Sequence, residues 1–298
     1  MKGSIVTIGV FDGVHSGHAA VIKKVVKKAS IRHLQSVAVT FDPHPMKVLS
    51  RRHNVASLIS LKHRVSLIKG LGIDKVLVMK FDKRLAGMPA EKFVKDIIID
   101  SLGAKEVFVG EDFCFGKGAK TGVIKLKRIG KKYGLKINMI KHVKIGSRIV
   151  SSSLIRSLVV SGRIKEASYL LGRPYSVLGT VVGGSKLARS LGYPTANLNP
   201  HHEAVPPSGV YAVKVRFVGR LYKGVMNIGV RPTFYEGRDK EPSIEVHIFN
   251  FHKRIYGKDL ESIFVKKLRS EKKFKTIDSL IKQIKKDEGA AQKLLLYK

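Results

Sequence analysis

The sequence predicts two domains of different architecture: an α/β half built on a parallel sheet, then a small antiparallel β-barrel with a terminal helix. Three observations carry this. The chain has 298 residues, longer than one typical domain of ~100–200 residues. Its first half alternates short apolar runs with amphipathic segments, the pattern of a parallel sheet covered by helices on both faces. Its second half places apolar residues at every second position, the pattern of half-buried antiparallel strands.

The elements follow in order. "SIVTIGV" (Ser4–Val10) reads as a buried strand and "AAVIKKVVKKAS" as the amphipathic helix after it. "SVAVTF" is the next strand, followed by a loop, "DPHP". The helix "SLKHRVSLIKGLG" precedes the strand "KVLVMKF". "PAEKFVKDIIIDSLG" has a proline near its start and a glycine at its end, the usual helix punctuation. "KEVFVG" and "LKINMIK" are strands separated by the basic helix "GVIKLKRIGKKYG". The joint lies near residues 151–174, where "SSSLIRSLVVSG" offers serine caps and "RIKEASYLLGRP" is closed by Gly172 with Pro174 beyond. The domains are therefore drawn at 1–160 and 175–298, with a helical linker over 161–174.

In the second half, Tyr211, Val213, Val215 and Phe217 take one face of "VYAVKVRF", while Lys214 and Arg216 take the other. Ile244, Val246 and Ile248 alternate in the same way with Glu245 and His247. "SVLGTVV", "YKGVMNIGV" and "LESIFVKKL" add strands, and Gly219-Arg220 reads as a turn. "TIDSLIKQIKKDEGAAQKLL" is a closing helix with a threonine cap. Strands of this kind with one terminal helix predict a small barrel.

The formal net charge is +35. Lysine and arginine neutralise phosphates, so nucleic-acid binding is one reading. The basic residues, however, fall in short groups ("KKVVKK", "KRIGKK", "KQIKK") at the spacing of solvated helix faces. Tryptophan is absent and no nucleic-acid-binding signature occurs, which favours solvated faces and attraction of small anionic substrates. Cys114 is the single cysteine, which excludes a disulfide framework or a cysteine zinc site and suits a reducing cytoplasm. The first apolar run is too short for a signal peptide. No apolar stretch approaches the ~20 residues of a membrane helix. Self-association is permitted by the sequence but not specified by it.

"TIGVFDGVHSGHAAVIKKVV" (7–26) is a strand-to-helix corner with Gly9, Gly13, Gly17, His15 and His18. Parallel sheets bind ligands at the carboxyl ends of their strands, and a helix N-terminus favours phosphate. Glycines let the backbone come close to the ligand. The corner therefore reads as a phosphate site with two added imidazole donors. A zinc reading, with His44 of "DPHP" as third ligand, has no H-E-x-x-H or carboxylate pattern behind it. Asp12 reads as a turn or cap residue rather than a catalytic acid.

These residues resemble the H-x-G-H signature of nucleotidyltransferases. More narrowly, they resemble the adenylyltransferase half of the bacterial bifunctional riboflavin kinase/FMN adenylyltransferase (FAD synthetase) family. "TFDPHP" (40–45), "FDKRLAGMPAEKFV" (81–94), "VGEDFCFG" (109–116) and "VSSSLIR" (150–156) follow in family order. The resemblance implies a Rossmann-like nucleotidyltransferase domain in which ATP meets Gly9, Phe11, Asp12, Gly17, Ser152, Ser153 and Arg156. Ser152, Ser153 and Arg156 would hold the β- and γ-phosphates, and His15 and His18 would be catalytic. FMN adenylylation uses an already ionised phosphate oxygen as nucleophile. It therefore needs no base, only donors and cations, Mg²⁺ among them, to bring two anions together.

"GGSKLARSLGYPTANL" (183–198) carries glycines, Lys186 and Arg189, then Pro194, Thr195 and Asn197. Two side-chain oxygens suit Mg²⁺ shared with a nucleotide, while the same spacing also fits a proline turn with local caps. The stretch resembles the riboflavin kinase hallmark ending Phe-Pro-Thr-Ala-Asn, and "GVYAV", "NIGVRPTF", "EVHIFNF" and "LRSEKKF" follow in family order. That resemblance implies a riboflavin kinase-like barrel. Lys186, Arg189 and Pro194 would meet ATP or ADP, Thr195 and Asn197 would bind Mg²⁺, Glu245 would be the base, and Arg269 and Phe274 would lie near the flavin. A neutral ribityl hydroxyl benefits from a carboxylate to accept its proton.

The resemblance covers about residues 4–293. The chain departs from the family pattern at Val10, usually asparagine, at Cys114, often arginine, at Val123, commonly polar, and at Ala188, usually glycine. The implied function is a cytoplasmic enzyme that makes FMN from riboflavin and ATP, then FAD from FMN and ATP. The competing readings are activity in one half alone, or a basic nucleic-acid-binding protein on the same scaffold.

Overall fold

The computed structural model describes residues 3–49, 57–119, 121–184, 191–230 and 242–296. The chain divides into two compact units, Met1–Leu154 and Ile155–Lys298.

The first unit holds a five-stranded sheet, every neighbouring pair parallel. Its strands are β1 (Ser4–Ile8), β2 (Gln35–Asp42), β3 (Lys75–Lys80), β4 (Ala104–Gly110) and β5 (Lys136–Ile140), in spatial order β3-β2-β1-β4-β5. Every residue of β1 is buried, as a central strand covered on both faces requires. On one face, Ile5 and Ala38 pack with Val21, Ile22 and Val25 of α1 (Ser16–Ile31) and Ile68 of α3 (Leu61–Gly70). On the other, Val6, Ile8, Val37 and Val107 pack with Phe93, Val94 and Ile98 and with Leu126 of α6 (Val123–Lys132). The strand order reverses between β1 and β4, so a crevice opens at their carboxyl ends.

Several elements differ from the sequence reading. β1 stops at Ile8 rather than Val10, because Phe11 takes a left-handed conformation (φ 53°) and turns the chain out of the sheet. "DPHP" is not wholly loop: Pro45 opens α2 (Pro45–Leu49), and His44 Nδ1 accepts from the Met46 amide at 3.1 Å. After the short α4 (Lys83–Ala86), the helix expected from Pro89 keeps α geometry only over α5 (Ala90–Lys92). It then widens to a π-helix over Phe93–Ser101. With i→i+5 bonding, Phe93, Val94 and Ile98 come onto one buried face. A two-stranded hairpin, β6 (Lys144–Ile145) and β7 (Arg148–Ile149), was not legible in the sequence. Helices α7 (Ser152–Val160) and α8 (Ile164–Leu171) follow, and Gly172 ends α8 at φ 70°. Ser151 caps α7 by accepting from the Leu154 amide.

The second unit contains a closed antiparallel barrel of β8 (Ser176–Val182), β9 (Ala196–Asn199), β10 (Gly209–Phe217), β11 (Arg220–Val230), β12 (Pro242–Ile248) and β13 (Asp259–Arg269). The order is β10-β11-β12-β9-β8-β13. Tyr211, Val213, Val215, Met226, Ile244 and Val246 are buried, as the period-two pattern requires. The turn between β10 and β11 falls on Val218 and Gly219, both left-handed, one residue earlier than read. α9 (Ile277–Leu296) packs Ala291 and Leu295 on Ala212 and Phe249, and Thr276 Oγ1 accepts from the Ser279 amide at its start. Among the described residues no helix is long and apolar enough to cross a membrane.

Candidate functional sites

A cavity of about 540 Å³ opens at the carboxyl ends of β1, β2 and β4. Gly9, Val10 and Phe11 line it just after β1, Phe41 and His44 at and beyond the end of β2, and Gly110 and Asp112 at and beyond the end of β4. His15, Gly17 and His18 enter from the start of α1, and Ser152 and Ser153 from the start of α7. The sheet topology thus brings the predicted corner and the predicted serines to one place.

The two histidines differ in role. His15 is the N-cap of α1, and its Nδ1 accepts from the His18 amide at 3.3 Å. An accepting Nδ1 carries no proton, so the hydrogen of His15 sits on Nε2 as a donor. The His18 ring stacks on His15 at 3.6 Å between centroids and meets the edge of Phe11 at 5.3 Å. Burial holds the His18 pKa well below the ordinary imidazole range, with His15 and Arg64 adding to the effect. His18 is therefore neutral at neutral pH. A Cβ on Gly17 would sit 3.2 Å from the His15 ring, so the glycine makes room for that ring. A Cβ on Gly9 would likewise sit 3.0 Å from the Phe11 ring.

Asp12 does not line the cavity. It is 2% exposed, and its carboxylate accepts from the Leu58 and Ile59 amides at 2.9–3.2 Å. Its backbone carbonyl accepts from Ser152 Oγ at 2.7 Å. Asp12 thus ties the corner to the segment before α3 and to the start of α7. Arg156 lies one turn further along α7 and is half-buried. Among the described residues no group of three or more His, Cys, Asp or Glu could hold a metal, so the zinc reading of His15, His18 and His44 has no support.

Sequence reasoning missed Arg64. It is 4% exposed, donating from Nη1 to the Val10 carbonyl at 2.7 Å and from Nη2 to the Phe41 carbonyl at 3.0 Å. Thr40 Oγ1 also donates to the Val10 carbonyl. Burial lowers the Arg64 pKa, while Asp12 and Asp42 oppose that shift. The Val10 side chain packs against the apolar cluster. Cys114 is exposed and lines the cavity beside Phe113 and Phe115.

In the barrel, two cavities meet at Thr195. One, of about 290 Å³, is lined by Tyr193, Thr195, Asn227, Glu245, His247, Arg269 and Phe274 among others. The second, of about 760 Å³, is lined by Gly183, Gly184, Pro194, Thr195, Asn197, Arg254 and Tyr256 among others. Asn197 belongs to a strand, β9, rather than a turn, and it pairs directly with Glu245 of β12. Thr195 Oγ1 donates to Glu245 Oε2 at 3.3 Å. A Cβ on Gly184 would fall 2.0 Å from Asn197 Nδ2, so the Asn197 amide occupies space that only glycine leaves open. Lys186 and Arg189 lie outside the described residues, as does Ala188.

Arg269 is already engaged. Its Nε and Nη2 donate to the Asp287 carboxylate of α9 at 2.8–3.1 Å, and Asp287 also accepts from Gln283. The Arg269 guanidinium lies 5.7 Å from the Phe274 ring centre. Asp287 is 7% exposed, and its role is not legible from a polar residue in an amphipathic helix.

A family model described as FAD synthetase matches residues 1–154, and one described as riboflavin kinase matches residues 171–295. The chain is 38% identical to the bifunctional riboflavin kinase/FMN adenylyltransferase of Bacillus subtilis, covering 97% of this chain and 91% of the relative. It is 34% identical to the protein of the same name from Escherichia coli, covering 98% and 92%. A crystal structure titled macrolide-efflux protein from Streptococcus pneumoniae superposes with a TM-score of 0.83 at 30% identity, covering 98% of this chain and 94% of that one.

Proposed function

The chain belongs to the bifunctional riboflavin kinase/FMN adenylyltransferase family, whose members convert riboflavin to FMN and FMN to FAD, and from that premise we propose how its residues divide the two reactions.

The barrel phosphorylates riboflavin. Thr195 carries this assignment: it lines both barrel cavities and lies 3.3 Å from Glu245. Flavin in the smaller cavity and nucleotide in the larger one would meet there. Glu245 accepts the proton of the ribityl 5′-hydroxyl as its oxygen bonds the γ-phosphorus, and the bond to the departing ADP breaks. Thr195 and Asn197 supply hard oxygen donors, and Gly184 leaves room for the Asn197 amide. That donor set fits Mg²⁺, with phosphate oxygens completing its shell. Mg²⁺ bound there would neutralise charge on the transferring phosphoryl group. Pro194, with Lys186 and Arg189, is assigned to the nucleotide phosphates. Arg269, held by Asp287, and Phe274 border the flavin.

The parallel-sheet domain, assigned to 1–160, adenylylates FMN. An FMN phosphate oxygen attacks the α-phosphorus of ATP, and pyrophosphate leaves. No proton has to be removed, so neutral imidazole donors suffice. His15 offers Nε2–H, and His18 faces the same cavity as a second, neutral imidazole stacked on His15 and braced by Phe11. The amides at the start of α1, together with Ser152, Ser153 and Arg156, stabilise the phosphate oxygens. Gly9 and Gly17 keep the backbone close, and Asp12 and Arg64 fix the corner from behind.

Cytoplasmic location belongs to the same reading, supported by the single cysteine and the ATP-dependent chemistry. Its partners are small molecules, and the scattered lysines serve solvation and attraction of anionic substrates rather than nucleic-acid binding. The test is to run each step alone, riboflavin with ATP and Mg²⁺ or FMN with ATP and Mg²⁺, and to separate the flavins by chromatography. Both products should form; failure of either step would assign one half another role.

A further inference from the structure

The paired ladder between β12 and β9 ends at Val246–Ala196. Beyond it, Pro194 and Thr195 have left the strand. Thr195 is the residue shared by the two barrel cavities. His247 comes next on β12, two residues after Glu245 and on the same side of the strand. Its Nδ1 lies 2.9 Å from the Pro194 carbonyl oxygen. A carbonyl has no proton to give, so the imidazole donates, and its proton is on Nδ1. The Tyr193 ring meets His247 edge-on at 5.7 Å between centroids, and the Phe249 ring lies at the same distance, tilted by 58°.

We propose that His247 is a positioning residue for phosphoryl transfer: by donating to the Pro194 carbonyl it holds the 193–195 segment against β12 and so sets Thr195 beside Glu245. Glu245 and Asn197 are already fixed opposite each other by the ladder, whereas Thr195 lies one residue past its end. The imidazole thus ties the two segments together one step past the end of the backbone ladder. This rests on the assignment of Thr195 and Glu245 to the kinase reaction.

Asparagine places its amide nitrogen near the position of an imidazole Nδ1, whereas glutamine places it near Nε2. The test compares His247→Asn, His247→Gln and His247→Ala in the full chain, following FMN formation against Mg²⁺ concentration, with FMN adenylylation as an internal control and thermal unfolding as a check on the barrel. Loss of a group that orients a metal ligand typically costs about 10–100-fold, and that loss is expected for H247A and H247Q. A raised half-saturating Mg²⁺ should accompany it, while adenylylation is unchanged. H247N should recover most of the rate and the Mg²⁺ response. Equal impairment of all three in folded protein, or no impairment of H247A, would overturn the proposal. Thr195→Ala separates it from its premise: if T195A leaves FMN formation and its Mg²⁺ response unchanged, the kinase assignment itself fails and the positioning role with it. If T195A is impaired but H247N is no better than H247Q, only the role of His247 fails.

Discussion

Arg64 Nη1 donates to the Val10 carbonyl at 2.7 Å, just past the end of β1 and almost out of solvent. The Val10 side chain packs against the apolar cluster of the sheet. Its backbone carbonyl is held from two sides, by Arg64 from α3 and by Thr40 from β2. The same guanidinium takes the Phe41 carbonyl, so one side chain pins the ends of β1 and β2.

Arg64→Met removes both bonds and leaves these carbonyls without that donor. Hydrogen bonds to a charged group are worth about 1.5–3 kcal/mol, so the first unit should lose stability of that order. FAD formation should fall while FMN formation is unchanged. Arg64→Lys should recover part of both. Denaturant unfolding followed alongside the two assays checks this.

Gly184→Ala puts a methyl group 2.0 Å from the Asn197 amide nitrogen. The side chain must swing away, and the donor set with Thr195 is broken. FMN formation should fall about 10–100-fold, as for loss of a metal-site support, with adenylylation unchanged. Steady-state assays of the two steps measure it.

The depressed pKa of His18, caused first by burial, has a defined sign. Unfolded His18 takes a proton below about 6.5, whereas folded His18 stays neutral to a lower pH. The unfolded state therefore binds more protons in that interval, and stability falls as pH drops through it. His18→Asn should flatten this part of the pH–stability curve. The measurement is the melting temperature of parent and variant at intervals from pH 7 to pH 5.

The strand–helix alternation of the first half and the period-two strands of the second were legible because each buries apolar residues at its own spacing. β9 was not, since four residues set between Pro194 and Pro200 and carrying two asparagines show neither pattern. The π-helix was hidden because Phe93, Val94 and Ile98 fit an α-helical stripe nearly as well. At the first site, the histidines and glycines could be read as a corner suited to phosphate and the serines as helix caps, and the fold brings His15, Gly17, His18, Ser152 and Ser153 to one cavity. Arg64 was not: a basic residue in "SLKHRVSLIKG" reads as solvated, and only the packing of α3 turns it inward. His247 likewise read as the polar face of a strand, since its partner, Pro194, is 53 residues away.

The division of labour between the two units is tested most directly by His18→Ala and Glu245→Gln, each assayed for both steps. H18A should lower FAD formation from FMN by about 10²–10³-fold, the scale of losing a transition-state donor, while FMN formation persists. E245Q should lower FMN formation by about 10²–10⁴-fold, the scale of losing a general base, while FMN supplied directly is still converted to FAD. Loss of both activities from either single change, in protein that remains folded, would contradict the two-site account.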